Sequence, residues 1–574
     1  MADTTNLFVN NEEYDAIVIG SGISGGWAAK ELCENGLKTL VLERGRMIEH
    51  IKDYPTMNMD PWDFEHRERN TPIDNERQHK QRRTGYTVRP ASKHWFVDDL
   101  KHPYTETKRF DWMRGYHVGG RSLTWGRQSY RWSPMDFEAN KNDGHGIDWP
   151  IRYNDLAPWY DKVEKYIGVS GKNEGLAQLP DGKLSEPMEM NCVEQDFTKR
   201  VAENFDGRVI TNGRTAHITG DKNHVGRSKC QFRNRCIRGC PFGGYFSSNS
   251  STLPAAERTG NLTIRPNSIV YDIVYDNEKG VASGVKIIDT LTKEKIFIKA
   301  SIIFCCASAI ASASILMQST SERFPNGLGN DSGELGHNIM DHHLGVGASA
   351  VVDEHSDKYY KGRRPSGFYI PRFKNLDSKS KSNDYIRGFG YQGGASRSNW
   401  RRAVSELSYG KDLKDELLKP GSWSIGMGGF GECLPYHENK ITLNQDKLDE
   451  WGLPTIDFDV EFKENEQKMR KDIQNEAVKM LKAAGYRKVR GYDNANSFFP
   501  GLGIHEMGTA RMGRDPKTSV LNKYNQIHTV PNVYVTDGAC MTSSACQNPS
   551  LTYMALTARA ANHAAKNFLK NKNS

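Results

Sequence analysis

The stretch YDAIVIGSGISGGWAAKELCENGLKTLVLERG, residues 14–45, decides the fold. It predicts a buried strand, a glycine turn, a helix and a second buried strand that ends at Glu43. Gly20, Gly22 and Gly25 have the spacing G-x-G-x-x-G, in which the first glycine permits the turn, the second lets a pyrophosphate approach and the third lets helix and strand pack closely. Because both strands and the acidic residue are present, we expect a dinucleotide site, with Glu43 accepting hydrogen bonds from the adenosine ribose, rather than a purely structural glycine turn.

The composition is that of a large globular protein. The chain has 574 residues, of which 37% are hydrophobic and 26% charged, and this length suits two large domains. The net charge of +8 is spread along the chain, so we expect no nucleic-acid partner. We also expect no transmembrane segment, because no apolar run is long enough. We expect no secretion signal on this chain, because the N-terminus has no basic segment followed by an apolar one.

A second glycine pair lies in RGYHVGGRSLTWGRQ, residues 114–128. Gly119 and Gly120 are followed by small and polar residues, among them Ser122 and Thr124. Such a segment suits a loop that lies against an isoalloxazine ring. This second signal favours FAD over NAD as the dinucleotide.

The C-terminal part carries a candidate catalytic pair, His505 and Asn548. An imidazole can accept the proton of a substrate hydroxyl while hydride leaves the carbon, and an amide can hydrogen-bond the same oxygen. Asn548 precedes Pro549, which is tolerated at the start of a helix. From the residues alone, an equally good interpretation makes His505 a buried core histidine and Asn548 a helix cap.

These motifs, together with GELGHNIMDHH at 333–343, resemble the glucose–methanol–choline (GMC) oxidoreductase family over nearly the whole chain. In that family a C-terminal His works with a His or Asn 43 residues later, the separation of His505 and Asn548. The resemblance is to the branch of FAD-dependent glucoside 3-dehydrogenases and glucose dehydrogenases. It implies that Asp537 and Gly538 contact the flavin diphosphate or ribityl chain, and that the backbone of Val270 meets the adenine.

The fold implied by the resemblance is α/β, or α+β overall. A Rossmann-like FAD-binding domain is expected from residues 1–130, 215–345 and 500–574. It is interleaved with a substrate domain, residues 131–214 and 346–499, built on an antiparallel sheet. In pyranose oxidases a His after the glycine pair is joined covalently to the flavin. Thr124 occupies that position here, so we expect noncovalent FAD.

Three cysteines stand in CQFRNRCIRGC, residues 230–240, with the spacing C-x5-C-x3-C at Cys230, Cys236 and Cys240. The resemblance implies that they bind a [3Fe–4S] cluster, and thiolates are the usual ligands of such clusters. A zinc site that also uses His224, and free thiols, are the alternatives, although the first gap is too long for the usual zinc spacing. We expect the surrounding cations to lower the thiol pKa values and to offset the cluster's charge. These cations are Arg227, Lys229, Arg233, Arg235 and Arg238.

The resulting hypothesis is an FAD-dependent dehydrogenase of pyranose sugars or glycosides. It would oxidise a secondary hydroxyl, at C3 to give a 3-keto sugar, by hydride transfer to flavin N5, and electrons would leave through the cluster to a protein acceptor. The alternatives are a gluconate-type or C1 glucose dehydrogenase, an oxygen-using pyranose oxidase, and a flavin-binding scaffold without turnover. The resemblance also implies a small signal-bearing subunit and a c-type cytochrome as partners. The expected location is periplasmic by co-export, with a cytoplasmic enzyme as the alternative.

Overall fold

The computed structural model describes residues 7–9, 12–85, 87–220, 224, 226–360, 365–398 and 409–572. Its strands are β1 (Leu7–Val9), β2 (Tyr14–Ile19), β3 (Thr39–Leu42), β4 (Thr105–Glu106), β5 (Thr211–Asn212), β6 (Leu262–Arg265), β7 (Ser268–Asp276), β8 (Val281–Asp289), β9 (Lys295–Cys305), β10 (Val346–Val352), β11 (Phe368–Ile370), β12 (Phe389–Arg397), β13 (Trp423–Gly431), β14 (Lys440–Leu448), β15 (Pro454–Asp459), β16 (Arg487–Asp493), β17 (Gln526–Ile527) and β18 (Val530–Val535). Its helices are α1 (Ile23–Glu34), α2 (Pro72–Arg77), α3 (Pro134–Asp143), α4 (Tyr153–Ile167), α5 (Cys192–Asn204), α6 (Thr252–Glu257), α7 (Ala309–Gln318), α8 (Gly410–Leu418), α9 (Glu464–Ala483) and α10 (Ser550–Lys572).

The first sheet has the strand order β17-β18-β9-β2-β3-β6. The pairs from β18 to β6 are parallel, while β17 is an antiparallel edge strand. Parallel neighbours need a crossover, and α1 supplies it between β2 and β3. Helix α1 ends before Gly36, whose φ of 85° is the left-handed conformation that glycine adopts readily. The predicted strand–turn–helix–strand unit is therefore confirmed.

The second sheet is antiparallel throughout, in the order β16-β10-β13-β12-β11-β5. Helix α9 packs on one face of it and buries Met469, Ile473, Ala477 and Met480 in a separate hydrophobic core. A third sheet joins β14, β15 and β4. The predicted fold class, a parallel sheet with helices combined with an antiparallel sheet, is confirmed.

The C-terminal helix α10 closes the first sheet. Ala560, Ala561 and Ala564 pack in one core with residues of α1, and their small side chains let the two helices approach closely. On another side Tyr160 of α4 forms a 2.7 Å hydrogen bond with Thr552 of α10. The domain boundaries that the sequence suggests stay a prediction. In the part of the chain that is described, every helix is too short or too polar to cross a bilayer.

Candidate active site

One cavity of about 620 Å³ extends from the glycine turn after β2 to the loop before α10. A cavity of this volume is in the range of organic-ligand sites. Most of the predicted cofactor and catalytic residues line it. They are Gly20, Gly22, Glu43, Gly120, Ser122, Thr124, Val270, His505, Asp537, Gly538 and Asn548. Residues that are distant in the sequence thus meet around one space.

The glycine turn is shaped by close backbone approaches. Gly20 has φ of 93°, and a Cβ there would lie 2.6 Å from the carbonyl oxygen of Cys306. A Cβ at Gly25 would lie 1.9 Å from the carbonyl oxygen of Gly20, so this glycine lets α1 pack onto its strand. In the described part of the chain no atom lies within 4 Å of a Cβ position at Gly22, and no side chain caps α1. The free N–H groups at this helix start can therefore receive a diphosphate.

Glu43 and Val270 both line this cavity. Its Oε2 accepts hydrogen bonds from the N–H and the hydroxyl of Ser21, and its Oε1 accepts one from the N–H of Gly45. Burial raises the pKa of this carboxyl above its ordinary value, while these hydrogen bonds oppose the rise. Glu43 therefore holds the turn, and the contact of Glu43 with a ribose stays a prediction.

The loop with the second glycine pair forms another part of the wall. Gly119 has φ of 90°, and a Cβ there would lie 1.7 Å from Oδ1 of Asn249. The hydroxyl of Ser122 donates to the carbonyl oxygen of Gly119 at 2.5 Å and accepts from the N–H of Ser248. Thr124 lies half-buried in the cavity wall. Noncovalent attachment of FAD stays a prediction.

His505 and Asn548 lie side by side in the wall, with Nε2 of His505 3.3 Å from Nδ2 of Asn548. The Nε2 group of Gln392, on β12, donates to Oδ1 of Asn548 at 2.5 Å, and this hydrogen bond orients the Asn548 amide with its Nδ2 towards His505. On the other side of the imidazole, Nδ1 of His505 lies 2.9 Å from Nδ1 of His342. The predicted pair is therefore embedded in a chain of hydrogen-bonding side chains.

Asp341 positions the loop that carries His505. Its Oδ2 accepts from the N–H groups of Gly501 and Gly503, and its Oδ1 accepts from the N–H of His505. Ile504 has φ of 58°, a strained conformation for a β-branched residue. Hydrogen bonds to a single carboxylate on both sides of Ile504 hold this conformation. Burial and the nearby Glu506 raise the pKa of Asp341 to about 7.

The environment keeps His505 neutral. Burial lowers the pKa of its imidazole well below the ordinary 6.5, and His342 and Arg121 lower it further. A neutral imidazole has a lone pair that can accept a proton. With the Asn548 amide next to it, the site can remove a proton from a hydroxyl and hydrogen-bond the oxygen that becomes negative.

Asp537 and Gly538 belong to the turn after β18. Asp537 accepts hydrogen bonds from the hydroxyl of Ser312 at 2.5 Å and from the N–H of Ala539 at 2.9 Å. Burial raises the pKa of Asp537 to about 6. A Cβ at Gly538 would lie 2.2 Å from the carbonyl oxygen of Glu506, so glycine is needed for the close approach of the two segments.

Cys230, Cys236 and Cys240 line one smaller cavity next to the first. Sγ of Cys236 lies 3.8 Å from Nε2 of His217, which also lines this cavity. His217 is therefore a histidine beside the cysteines, and the His224 considered for a zinc site is not among the described residues that line this cavity. In the described residues no group of three or more His, Cys, Asp or Glu side chains is arranged to hold a metal ion.

The expected effect of the neighbouring cations is wrong for Cys230. Burial, together with the charges of the other two cysteines, raises the pKa of its thiol to about 11. The nearby guanidinium groups bind other parts of the chain. Arg233 donates to the carbonyl oxygen of Met57 and Arg238 to that of Met59, while Arg235 pairs with Asp60. Charge spacing in a sequence does not show which acceptors the arginines reach.

The two cavities share a wall. Ile237, inside the cysteine segment, lines the large cavity, while its neighbour Cys236 lines the small one. Arg127 also lines the large cavity, and its guanidinium lies 4.9 Å from the ring centre of Tyr245, which lines the small one. The Nε and Nη1 atoms of Arg127 are buried and find no hydrogen-bond partner among the residues that the structure describes.

Several residues of the site were not predicted from the sequence. His342 and Asp341 lie in the 333–343 motif, so a signal for their segment was present, although not for their contacts. Arg121 lies in the 114–128 segment and Glu506 directly follows His505, but nothing in the sequence indicates their ion pair, and Gln392 lies outside every motif. Their importance comes from contacts that the folded chain makes.

The fold and the cavity define a dinucleotide-dependent oxidoreductase, and comparison with known proteins identifies the family. The GMC oxidoreductase family models match residues 14–344 and 435–557. The chain therefore belongs to the GMC oxidoreductase family and is an oxidoreductase with FAD as its cofactor. The resemblance to this family is confirmed at that level.

Two relatives and one solved structure illustrate this membership. The chain is 28% identical to 2-methyl-1,2-propanediol dehydrogenase from Mycolicibacterium austroafricanum, over 97% of this chain and 96% of the relative. It is 27% identical to the fructose dehydrogenase large subunit from Gluconobacter japonicus, over 95% of this chain and 97% of the relative. A formate oxidase variant from Aspergillus oryzae has a similar fold, with a TM-score of 0.60 and a sequence identity of 14%. The match covers 99% of this chain and 100% of the formate oxidase chain.

Proposed function

We propose that this protein is a sugar dehydrogenase that oxidises a secondary hydroxyl of a pyranose or glycoside, at C3, and sends the electrons to a protein acceptor. The observation that carries the proposal is the imidazole of His505 beside the Asn548 amide, in the wall of the cavity that begins at the glycine turn. The similarity to a fructose dehydrogenase and a diol dehydrogenase supports a polyol substrate. The choice of C3 rests on the resemblance of the motifs.

The residues of the chain divide the work between binding and proton transfer. Gly22 and the start of α1 would receive the diphosphate of FAD, and Glu43 the adenosine ribose. Bound FAD supplies the acceptor for the hydride. His505 takes the hydroxyl proton at Nε2, and Asn548 donates a hydrogen bond to the same oxygen while charge develops on it.

We further propose that the three cysteines hold a [3Fe–4S] cluster that relays the electrons. The three cysteines line one cavity, and Cys thiolates are the usual ligands of iron–sulfur clusters. The wall shared with the large cavity supports a short route between the two centres.

A small signal-bearing subunit and a c-type cytochrome are the proposed partners, and the name of the fructose dehydrogenase relative, a large subunit, agrees with such an assembly. In such an assembly the enzyme would be periplasmic through co-export.

The first experiment tests the catalytic pair. Purified protein is mixed without oxygen with D-glucose, methyl α-D-glucopyranoside or D-fructose, and the visible absorbance of the flavin is followed. The His505→Ala variant should keep its FAD but lose bleaching by at least about a hundredfold. Bleaching of the variant at the rate of the unchanged protein would refute the assignment of His505 as base.

The second experiment tests the relay. Iron analysis and low-temperature EPR of protein prepared without chelator should give about three irons per chain and the signal of an oxidised [3Fe–4S] cluster. Cys236→Ser should remove both, while Cys192→Ser, outside the segment, should not. Protein that contains zinc or no metal would refute the cluster, and hydrogen peroxide formed during turnover would favour a sugar oxidase.

A further inference from the structure

His342 is a buried histidine that contacts His505, the proposed base. His505 lines the large cavity, whereas His342 lies behind it. Its Nδ1 lies 2.9 Å from Nδ1 of His505, and its Nε2 contacts the carbonyl oxygen of Ala545 in a short hydrogen bond. The side chain is completely buried, and burial lowers the pKa of His342 to about 4. The imidazole of His342 is therefore neutral and carries a single N–H.

The position of that proton follows from its partner. A carbonyl oxygen can only accept a hydrogen bond, so the N–H of His342 lies on Nε2 and points at Ala545. Nδ1 of His342 is then left with a lone pair. Because it faces Nδ1 of His505 at hydrogen-bond distance, the latter nitrogen must be the donor.

The proton position of His342 also determines where His505 carries its lone pair. With its proton on Nδ1, neutral His505 has its lone pair on Nε2, on the side of Asn548. Oδ1 of Asn548 accepts from Gln392, so the NH2 group of the amide faces His505. In this series of hydrogen bonds, from the carbonyl of Ala545 through His342, His505 and Asn548 to Gln392, every donor therefore faces an acceptor.

We propose that His342 is a positioning residue that fixes the tautomer of His505, so that Nε2, the nitrogen beside Asn548, is the one able to accept the substrate proton. This inference rests on the proposed role of His505 as the base. Without the acceptor at position 342, the Nδ1–H of His505 would be buried without a partner, and the opposite tautomer, with a protonated Nε2, would gain population. That tautomer cannot take a proton from the hydroxyl.

A matched pair of variants isolates the acceptor. In His342→Asn the amide oxygen stands near the position of Nδ1 and can still accept from His505. His342→Leu has nearly the same shape as the asparagine variant but no acceptor. If position 342 serves only packing, the two variants should behave alike.

The direct measurement is 15N NMR of the FAD-bound protein labelled in its histidines, without any substrate. The His505 signals are assigned by their loss in His505→Gln. We expect a protonated Nδ1 and an unprotonated Nε2 in the unchanged protein and in His342→Asn, and increased protonation of Nε2 in His342→Leu. A protonated Nε2 in the unchanged protein, or the same tautomer in both variants, would overturn the inference.

Kinetics give the functional readout. At saturating sugar the rate of flavin reduction should fall roughly tenfold to a hundredfold in His342→Leu and stay within about threefold in His342→Asn, with little change in KM. Equal losses in both variants would contradict a role in tautomer control. FAD content and thermal unfolding identify a variant that fails to fold, and the NMR result for the unchanged protein stands without it. If no sugar bleaches the flavin, the proposed function fails while the tautomer is still measured.

Discussion

The guanidinium of Arg121 forms a two-point ion pair with the carboxylate of Glu506, at 3.1 and 3.0 Å. Arg121 follows the second glycine pair and Glu506 follows His505, so the pair ties the two walls of the large cavity together. The carboxylate is almost fully buried, with 3% of its side chain exposed, and depends on this cation for compensation.

Removing one partner of this pair should therefore destabilise the protein. Arg121→Gln leaves the Glu506 carboxylate buried without its cation, and we expect a loss of about 2 to 4 kcal/mol in the free energy of unfolding. Thermal unfolding and the ratio of FAD to protein measure the effect. The double variant Arg121→Gln with Glu506→Gln should recover part of the loss, and additive losses would show that the pair is not coupled.

Gln392 should support turnover without touching the proton that is transferred. Gln392→Leu removes the donor that holds Oδ1 of Asn548, and the amide can then rotate away from His505. We expect flavin reduction to slow by roughly threefold to thirtyfold, because one positioning hydrogen bond is lost. Stopped-flow absorbance at saturating sugar measures the rate. An unchanged rate would mean that the orientation of Asn548 is fixed by other contacts.

Glycine at position 119 should be essential, whereas glycine at position 126 of the same loop should not. Gly119→Ala forces a side chain into the left-handed φ region and against Asn249, at a cost of more than about 2 kcal/mol. Gly126→Ala adds a Cβ that meets no atom within 4 Å. We expect loss of FAD and a lower unfolding temperature in the first variant only. Similar behaviour of both would refute the close approach to Asn249.

The pH dependence of flavin reduction should reflect the buried state of His505. A base works only when it is unprotonated, so its activity is lost as the pH falls through its pKa. Because the pKa of His505 lies well below 6.5, protonation of this base should not lower the rate at saturating sugar near pH 6.5. Asp341, which holds the loop of His505, has a pKa of about 7, so its protonation is the expected cause of any decline in that range. A decline with a midpoint near 6.5 that remains in Asp341→Asn would contradict this, provided that the FAD content, measured at each pH, is constant.

The sequence by itself determined the fold class and the glycine turn that lines the large cavity. The G-x-G-x-x-G turn between two apolar runs is a local pattern, since the residues that form it lie within about thirty positions and their geometry follows from strand, turn and helix. The GMC family and the pair of His505 with Asn548 could also be predicted from the sequence, because the family's motifs and the 43-residue separation of the two residues can be recognised there. Their meeting in one cavity then required only that the two ends of the chain share a sheet, as β2, β9 and β18 do.

The tertiary structure alone decided the contacts around the pair and the charge states that result. His342 and His505 are separated by 163 positions, and Gln392 and Asn548 by 156, and no periodicity links them. The expectation that neighbouring arginines lower the pKa of the Cys230 thiol was wrong for the same reason. Hydrogen bonds and burial depend on distances of a few ångströms between segments, and those distances are set by how the sheets and α10 pack, not by neighbourhood along the chain.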